Sequence, residues 1–474
     1  VFAEGGFDLQ IGNPPWVRPR TDVDALLSEH DPWFSLAHKP TQATKNEHRA
    51  QLLDSSEAAA ITLSSGVSEQ VTLSEVLGDP TQYPHLVNQQ PDLYRGFMER
   101  TWQNSSDNGV ICLVHPESHF TEQKAAPLRR GAYLLLRRHW QFVNELSLFD
   151  VHHLVKYGIH VYGPERESPS FIHAVSLYHP NTVTESLVHD GSGRPPGIKD
   201  DNDKWDLRPH KDRILTVNEN ALKVWHSVLE SQETPVLESR MVYTVNTEAA
   251  AVLAKLAGAP RLSELGLHFS RGWDESIDRK KGYFDSSWQH PDSWSDVILQ
   301  GPHLGVSTPM IKQPNPTMKN NQDWSALDIE AMSEDFIPAT AYLPNPDMDT
   351  YEAEYGSWSI NGEKVPVSNT YRVAWRQMGA HTGFRTLYPA LIPLGAKHVN
   401  GIISASTDDL SAVSEFGASA SAILSDFLVR AIGSNLWGWV IESLPFDNRE
   451  KLVRPLREKY LGLNCLTSAY APLW

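Results

Sequence analysis

The sequence predicts an open α/β sheet, present as half of one, followed by an α+β region. Three observations predict it. Strand-length apolar patterns at Phe7–Gly12, Val110–Val114 and Phe171–Leu177 are separated by stretches with helical spacing. No glycine-rich turn follows the first strand. Beyond about residue 235 the chain becomes rich in Trp, Pro, Asn and Gly, with short elements.

Each element has its own justification. Phe7, Leu9 and Ile11 alternate with Asp8 and Gln10 before Gly12, as in a strand. Residues 17–90 read as polar and mostly irregular, with short helices at Asp22–Leu27 and Ala50–Ala60. Leu93, Tyr94, Phe97, Met98, Thr101 and Trp102 share one helical face. Asp107-Asn108-Gly109 predicts a turn, and Val110–Val114 a buried strand stopped by His115-Pro116. A helix is expected over 122–140, with Leu134, Leu135 and Leu136 inside it, then strands at Glu145–Phe149 and Phe171–Leu177. The glycine- and proline-rich run Gly191–Gly197 and the charged run Lys199–Lys204 predict an exposed connection. Residues 216–230 suit a short helix. Helices follow at Glu248–Leu256 and Glu415–Ile432, the latter burying Phe416, Ile423, Leu424, Phe427, Leu428 and Ala431. The expected organisation is 1–190, a connector over 191–235, and a second domain over 236–474.

Composition narrows the function classes. The 474 residues carry 41 Lys+Arg against 58 Asp+Glu, a formal net charge of −17. At roughly 100–200 residues per domain, two to four domains are expected. With 40% hydrophobic and 21% charged residues, wholesale disorder is excluded. No stretch approaches the ~18 consecutive apolar residues of a spanning helix, so no membrane partner is expected. Cys112 and Cys465 cannot fill a four-thiolate zinc site, and the absence of a signal segment suits a reducing, cytoplasmic setting. The negative charge argues against coating nucleic acid non-specifically, because that affinity comes from neutralising phosphates.

Asn13-Pro14-Pro15-Trp16 lies at the carboxyl end of the first strand, the edge where open α/β sheets bind ligands. An Asn before Pro is driven out of the helical region, and two successive prolines stiffen the loop. The Asn13 side-chain carbonyl and the Pro14 main-chain carbonyl are then two fixed acceptors. They match an exocyclic amino group, which has two hydrogens to donate. Holding both draws the nitrogen towards tetrahedral geometry and frees its lone pair. Trp16 offers a flat face on which a base stacks, worth roughly 1–3 kcal/mol.

Phe7-Asp8-Leu9-Gln10-Ile11-Gly12-Asn13-Pro14-Pro15-Trp16 resembles the catalytic motif of the amino-methylating DNA methyltransferases, in the branch that methylates adenine. Asp92-Leu93-Tyr94-x-x-Phe97, Gly109-Val110-Ile111 leading to Pro116 and Phe120, and Ser170-Phe171 look like the helix and strands that follow in that family. Tyr371-Arg372-x-x-Trp375-Arg376, Arg385-Thr386 and Ala390-Leu391-Ile392-Pro393 are similar to the target-recognition region of large restriction–modification and phage-defence enzymes, including the BREX and DISARM types.

The resemblance implies the carboxyl-terminal half of a Rossmann-like methyltransferase sheet joined to an α+β target-recognition domain. It implies methyl transfer from S-adenosylmethionine to the adenine amino group in double-stranded DNA, with the base flipped out of the stack. Restriction or defence-system subunits are the other partners it implies. In that branch the cofactor-binding strand precedes the Asn-Pro-Pro-aromatic strand. Only twelve residues precede Asn13, so the main S-adenosylmethionine motif is expected to be absent from this chain. Phe171, Tyr157 and Tyr162 are candidate walls for the flipped base. Methylation of a cytosine amino group or a protein glutamine, and a non-catalytic DNA-binding specificity or scaffold module, are the alternatives.

Arg372, Arg376, Arg385 and Lys397, interleaved with Tyr371, Trp375, Phe384 and Tyr388, form the candidate DNA-binding surface. Arg449, Lys451, Arg454, Arg457 and Lys459 suit a charged helix face. His152, His153, His160, His173 and His179 cluster in sequence, but no Cys or carboxylate repeats at ligand spacing, so no metal is expected. A hydrolase lacks its Gly-x-Ser-x-Gly elbow, and a nuclease its paired-carboxylate core.

Overall fold

The computed structural model describes residues 5–379, 383–432, 435–447 and 449–473. The chain divides into two units, Val1–His226 with Glu230–Ala250, and Ser227–Leu229 with Ala251–Trp474. The first is an α/β unit on a mixed sheet of six strands. These are β1 (Phe7–Gly12), β2 (Ser105–Pro116), β3 (Leu136–Val143), β4 (Lys156–Tyr162), β5 (Ser170–Leu177) and β6 (Leu215–Asn218). Their spatial order is β1-β2-β4-β3-β5-β6. β1 is parallel to β2 and β3 to β5, and the other neighbours are antiparallel. β6 comes from the 191–235 stretch, which therefore contributes to the sheet.

Several local expectations change. Phe7 pairs with Ser105 but Leu9 with Val110, so Asp107-Asn108-Gly109 is an irregularity inside β2 rather than its boundary. Gly109 is required there, because a Cβ would sit 2.6 Å from the Phe7 carbonyl oxygen. The segment 17–90 is largely helical: Val23–Ser28, Trp33–Leu36, Gln42–Ser55 and Glu57–Gly78. Asp22, Thr41 and Ser56 each accept from the backbone N–H three residues on, which satisfies an otherwise orphaned donor. The apolar period is faint because Leu27, Phe34 and Ala59 alone form the buried heart of this cluster.

The expected 122–140 helix stops at Leu135, and β3 starts at Leu136. Both sides of that junction are buried, so the leucine run carries neither period. Glu145–Phe149 is not a strand: Asn144–Leu146 is a single 3-10 turn and the chain then bends. Buried Asn144 donates to the carbonyls of Phe149 (2.9 Å) and Val151 (2.8 Å) and accepts from the Phe149 N–H (3.0 Å), closing a loop. Along β4, alternation sends Tyr157 and Ile159 to one face, against Trp140, Phe142 and Leu177, and Gly158, His160 and Tyr162 to the other.

The second unit contains a four-stranded antiparallel sheet in the order Ala390–Ile392, Arg372–Arg376, Ile402–Ser406, His268–Ser270. Apolar clusters gather around Trp273, Tyr351 and Tyr355, and around Leu299, Ala374 and Ile402. The expected Glu415–Ile432 helix is a pair, Leu410–Ser421 and Ile423–Ile432, bent by 66°. The break restarts the helical phase. Phe416, Leu428 and Ala431 are buried, but Ile423 and Leu424 emerge 75% and 46% exposed. Among the described residues no single helix is long and apolar enough to cross a membrane.

Candidate functional site

The loop Asn13-Pro14-Pro15-Trp16 leaves the carboxyl end of β1 and is held by its last member. Trp16 Nε1 donates to the Val114 carbonyl at 3.2 Å. Its ring lies 5.4 Å from that of Phe149 and 5.6 Å from that of Tyr157. Pro14 is buried, whereas Asn13 and Pro15 are exposed.

The chain beyond is fastened too. The Val17 carbonyl accepts from the Leu93 N–H at 3.1 Å. Arg18 donates to Gln90 Oε1 at 2.8 Å and lies 3.5 Å from Asp92. Burial raises the Asp92 carboxyl above its ordinary range, against the opposing pull of Arg95 and Arg18. Buried Arg95 in turn donates to Glu122 (2.6 Å) and Ser118 (2.7 Å). Between these anchors, the Asn13 carboxamide has no hydrogen-bond partner among the described residues.

Beside Asn13 runs a cleft of about 460 Å³. Phe7, Leu9, Ile11, Phe97 and Leu113 make its lining mainly apolar, and Gln10 and Thr101 add polar groups. The exposed Asn13 carboxamide and buried Pro14 both line this apolar cleft. Among the described residues no carboxylate lines it and no glycine-rich turn faces it. The ribose hydroxyls of a nucleoside cofactor are ordinarily held by an acidic side chain, so these lining residues do not fit S-adenosylmethionine by themselves.

No family model matches the chain, and no curated protein matches it. Among solved structures it is similar to the Type IIL restriction-modification enzyme MmeI in complex with DNA. There the identity is 8% and the TM-score 0.36, over 82% of this chain and 46% of that one. It is similar to a nuclease-deletion mutant of the Type ISP restriction-modification enzyme LlaGI, at 10% identity and TM-score 0.33, over 95% and 34%. It is also similar to the type I restriction-modification methyltransferase subunit from Streptococcus thermophilus, at 12% identity and TM-score 0.18, over 22% of each chain. The chain spans less than half the length of each.

The remaining sequence-predicted residues lie elsewhere than expected. Tyr157, Tyr162 and Phe171 are all buried. Tyr157 packs on Trp16, the Tyr162 hydroxyl lies 3.2 Å from His115 Nε2, and Phe171 stacks on Tyr133 at 6.0 Å. Strand alternation turns all three into cores, so they are packing residues and not walls open to a base.

The expected DNA-facing surface at 371–397 is likewise corrected, its residues 380–382 lying outside the described ones. Arg372 is wholly buried in its strand, donating to the Ala396 carbonyl and, at 3.3 Å, to that of Thr370. Lys397 is wholly buried and pairs with Glu352. Arg376 donates to the Gly301 carbonyl at 2.8 Å and covers the Tyr388 ring at 4.5 Å. Arg385 donates to the Ser421 carbonyl at 2.8 Å and lies 3.5 Å from Asp426. These cations are spent on the chain's own acceptors. Arg454, by contrast, is 85% exposed on the helix Glu450–Asn464, as a charged face requires.

The histidines divide. His152 and His153 are exposed, whereas His160 and His173 are buried beside His115, His119 and His139. His139 pairs in register with His160 on β4 and with His173 on β5, forming a row across one face of the sheet. Burial holds His115 down at about 3 and keeps His119, His160 and His173 well below the usual imidazole range. Spacing along the chain hides this group, because strand pairing alone brings residues 139, 160 and 173 together.

Proposed function

We propose that this chain carries the methyl-acceptor site of a site-specific DNA adenine methyltransferase of a restriction–modification or phage-defence system. The observation that carries the proposal is the Asn13 carboxamide, exposed and unpartnered among the described residues, on a loop whose two ends are fastened. In the bound state the Asn13 side-chain oxygen and the Pro14 carbonyl accept the two amino hydrogens of a flipped adenine. The nitrogen lone pair is thereby freed for attack. Pro14 and Pro15 remove the loop's freedom to follow the base, so the acceptors are in place before it arrives. Once bound, S-adenosylmethionine would supply an activated methyl group. Its principal contacts are assigned to residues outside those lining the cleft.

Target recognition is assigned to the second unit. With Arg372 and Lys397 buried, the basic side chains available there include the exposed run Arg271, Arg279 and Lys280. The mainly apolar lining of the cleft, without a carboxylate among the described residues, also favours a second possibility, that this chain alone binds DNA without chemistry.

The test uses the full-length gene product that contains this chain, with labelled S-adenosylmethionine and duplex DNA, followed by nucleoside analysis. Label in N6-methyladenine that disappears in Asn13→Ala, with DNA binding retained, is expected. Near-normal incorporation by the variant, or label in cytosine, overturns the assignment. DNA binding by the wild type with no methyl transfer selects the non-catalytic module.

A further inference from the structure

Glu117 follows β2, His139 lies on β3 and His160 on β4, and one donor atom from each lies within 4.8 Å of the other two. All three side chains are buried. They face away from Trp16, on the opposite side of the sheet from Tyr157 and Ile159. We propose that Glu117, His139 and His160 bind a divalent transition-metal ion, zinc by preference, at a structural site independent of the methyl-acceptor loop.

Four observations carry this. First, the rings of His139 and His160 have centroids 5.0 Å apart. Two imidazoles on one tetrahedral ion, with Zn–N near 2.0–2.1 Å, stand about 5 Å apart at their ring centres. Second, His160 Nε2 lies 3.8 Å from Glu117 Oε1, too far for a hydrogen bond and close to the spacing of two ligands on one ion. Third, the space between them is kept by Gly158. A Cβ at that position would sit 2.7 Å from both Glu117 Oε1 and His160 Nε2. Fourth, neither ring nitrogen of buried His160 has a hydrogen-bond partner among the described residues. An orphaned buried imidazole is costly, and coordination of the ion relieves it.

The surroundings orient the ligands as metal sites require. His139 Nδ1 lies 2.7 Å from His173 Nδ1. His139 Nε2 is in hydrogen-bond contact with Glu117 Oε1, a contact that a shared ion would replace. With Nδ1–H donating to His173, His139 Nε2 would turn its lone pair to the ion, the arrangement in which an outer partner sets the tautomer. His115 is not a ligand. It stacks flat on His160 at 3.9 Å, and its nitrogens are engaged with the Pro116 carbonyl and the Tyr162 hydroxyl. Two imidazoles and one carboxylate make a borderline set that suits zinc over magnesium or calcium. The ion would tie the turn after β2 to β3 and β4.

The experiment uses the whole 474-residue chain. It is stripped with a chelator, checked for fold by circular dichroism and titrated with zinc alone, then with cobalt as a spectroscopic stand-in. The expected result is one ion per chain, a raised melting temperature and the intense visible bands of four-coordinate cobalt. Glu117→Gln and His160→Gln should each weaken zinc binding by at least about a hundredfold and abolish those bands, as should Gly158→Ala, which fills the space. His115→Gln, equally buried but not a ligand, should keep them. If a variant fails to fold, the wild-type titration decides. A folded wild-type chain that takes up no zinc overturns the proposal, and so does undiminished cobalt spectroscopy in folded Glu117→Gln or His160→Gln.

Discussion

Trp16 donates its indole N–H to the Val114 carbonyl across 3.2 Å, so the aromatic that ends the rigid loop is fastened to the neighbouring strand. It therefore anchors the loop that carries Asn13, and under the proposed function it would also offer a face to a base. The two jobs separate experimentally. Trp16→Phe keeps most of the packing on Phe149 and Tyr157 and removes the hydrogen bond, a cost of about 1 kcal/mol. Trp16→Ala removes both, about 3 kcal/mol. Asn13→Ala, at an exposed and unpartnered position, should stay within about 0.5 kcal/mol of wild type. Urea denaturation orders the three variants, and an Asn13→Ala as destabilised as Trp16→Ala would mean that Asn13 is structural.

Among the described residues the cleft beside Asn13 presents no carboxylate. The chain by itself should accordingly bind S-adenosylmethionine no more tightly than roughly 1 mM, which corresponds to about 4 kcal/mol. Isothermal titration calorimetry reads this directly. Micromolar affinity would reveal cofactor-binding residues outside the cleft lining.

Arg372 donates to carbonyls inside its own unit and has no exposed surface. Arg372→Ala should cost roughly 3 kcal/mol through unsatisfied buried acceptors and weaker packing, and it should affect DNA binding only by unfolding the unit. Replacing exposed Arg271, Arg279 and Lys280 with Ala should leave the melting temperature nearly unchanged. If these three face DNA, each phosphate left without its cation should flatten the slope of log affinity against log salt by about 0.9. An unchanged slope removes that run from the interface.

Acid should destabilise the second unit before its carboxylates titrate. His303 is held neutral by burial, down to about 4, with Nδ1 accepting from the Gln300 N–H at 3.0 Å and Nε2 donating to the Ala339 carbonyl at 3.0 Å. His398 is held down to about 3, chiefly by burial and then by Arg372. Both folded values lie below the unfolded one, so between about pH 6.5 and 4 the unfolded chain binds more protons. Stability then falls as pH falls, by roughly 3 kcal/mol per imidazole at pH 4. Chemical denaturation from pH 7 to 4 tests this, and His303→Gln should flatten the curve. A wild-type profile that stays flat down to about pH 4.5, well below the ordinary imidazole value, contradicts it.

Local order alone sufficed for the loop. An alternating strand followed by Asn-Pro-Pro-Trp fixes an acceptor at a strand end because proline restricts the backbone wherever it occurs. The same holds for the helix Leu93–Gln103 and for β5, whose periods match their elements. Three outcomes needed the tertiary fold. Tyr157, Tyr162 and Phe171 became packing residues because strand alternation faces them into layers that exist only once the sheet has assembled. Arg372 and Lys397 look like a basic surface in one dimension, and they are buried because carbonyls and Glu352 from distant segments converge on them. Glu117, His139 and His160 share one point because β2, β4 and β3 pair in that register. Their separations along the chain carry no common period. A sequence records what each residue tolerates locally, whereas the meeting of far-apart side chains depends on hydrogen-bonded register, which forms only when the strands pair.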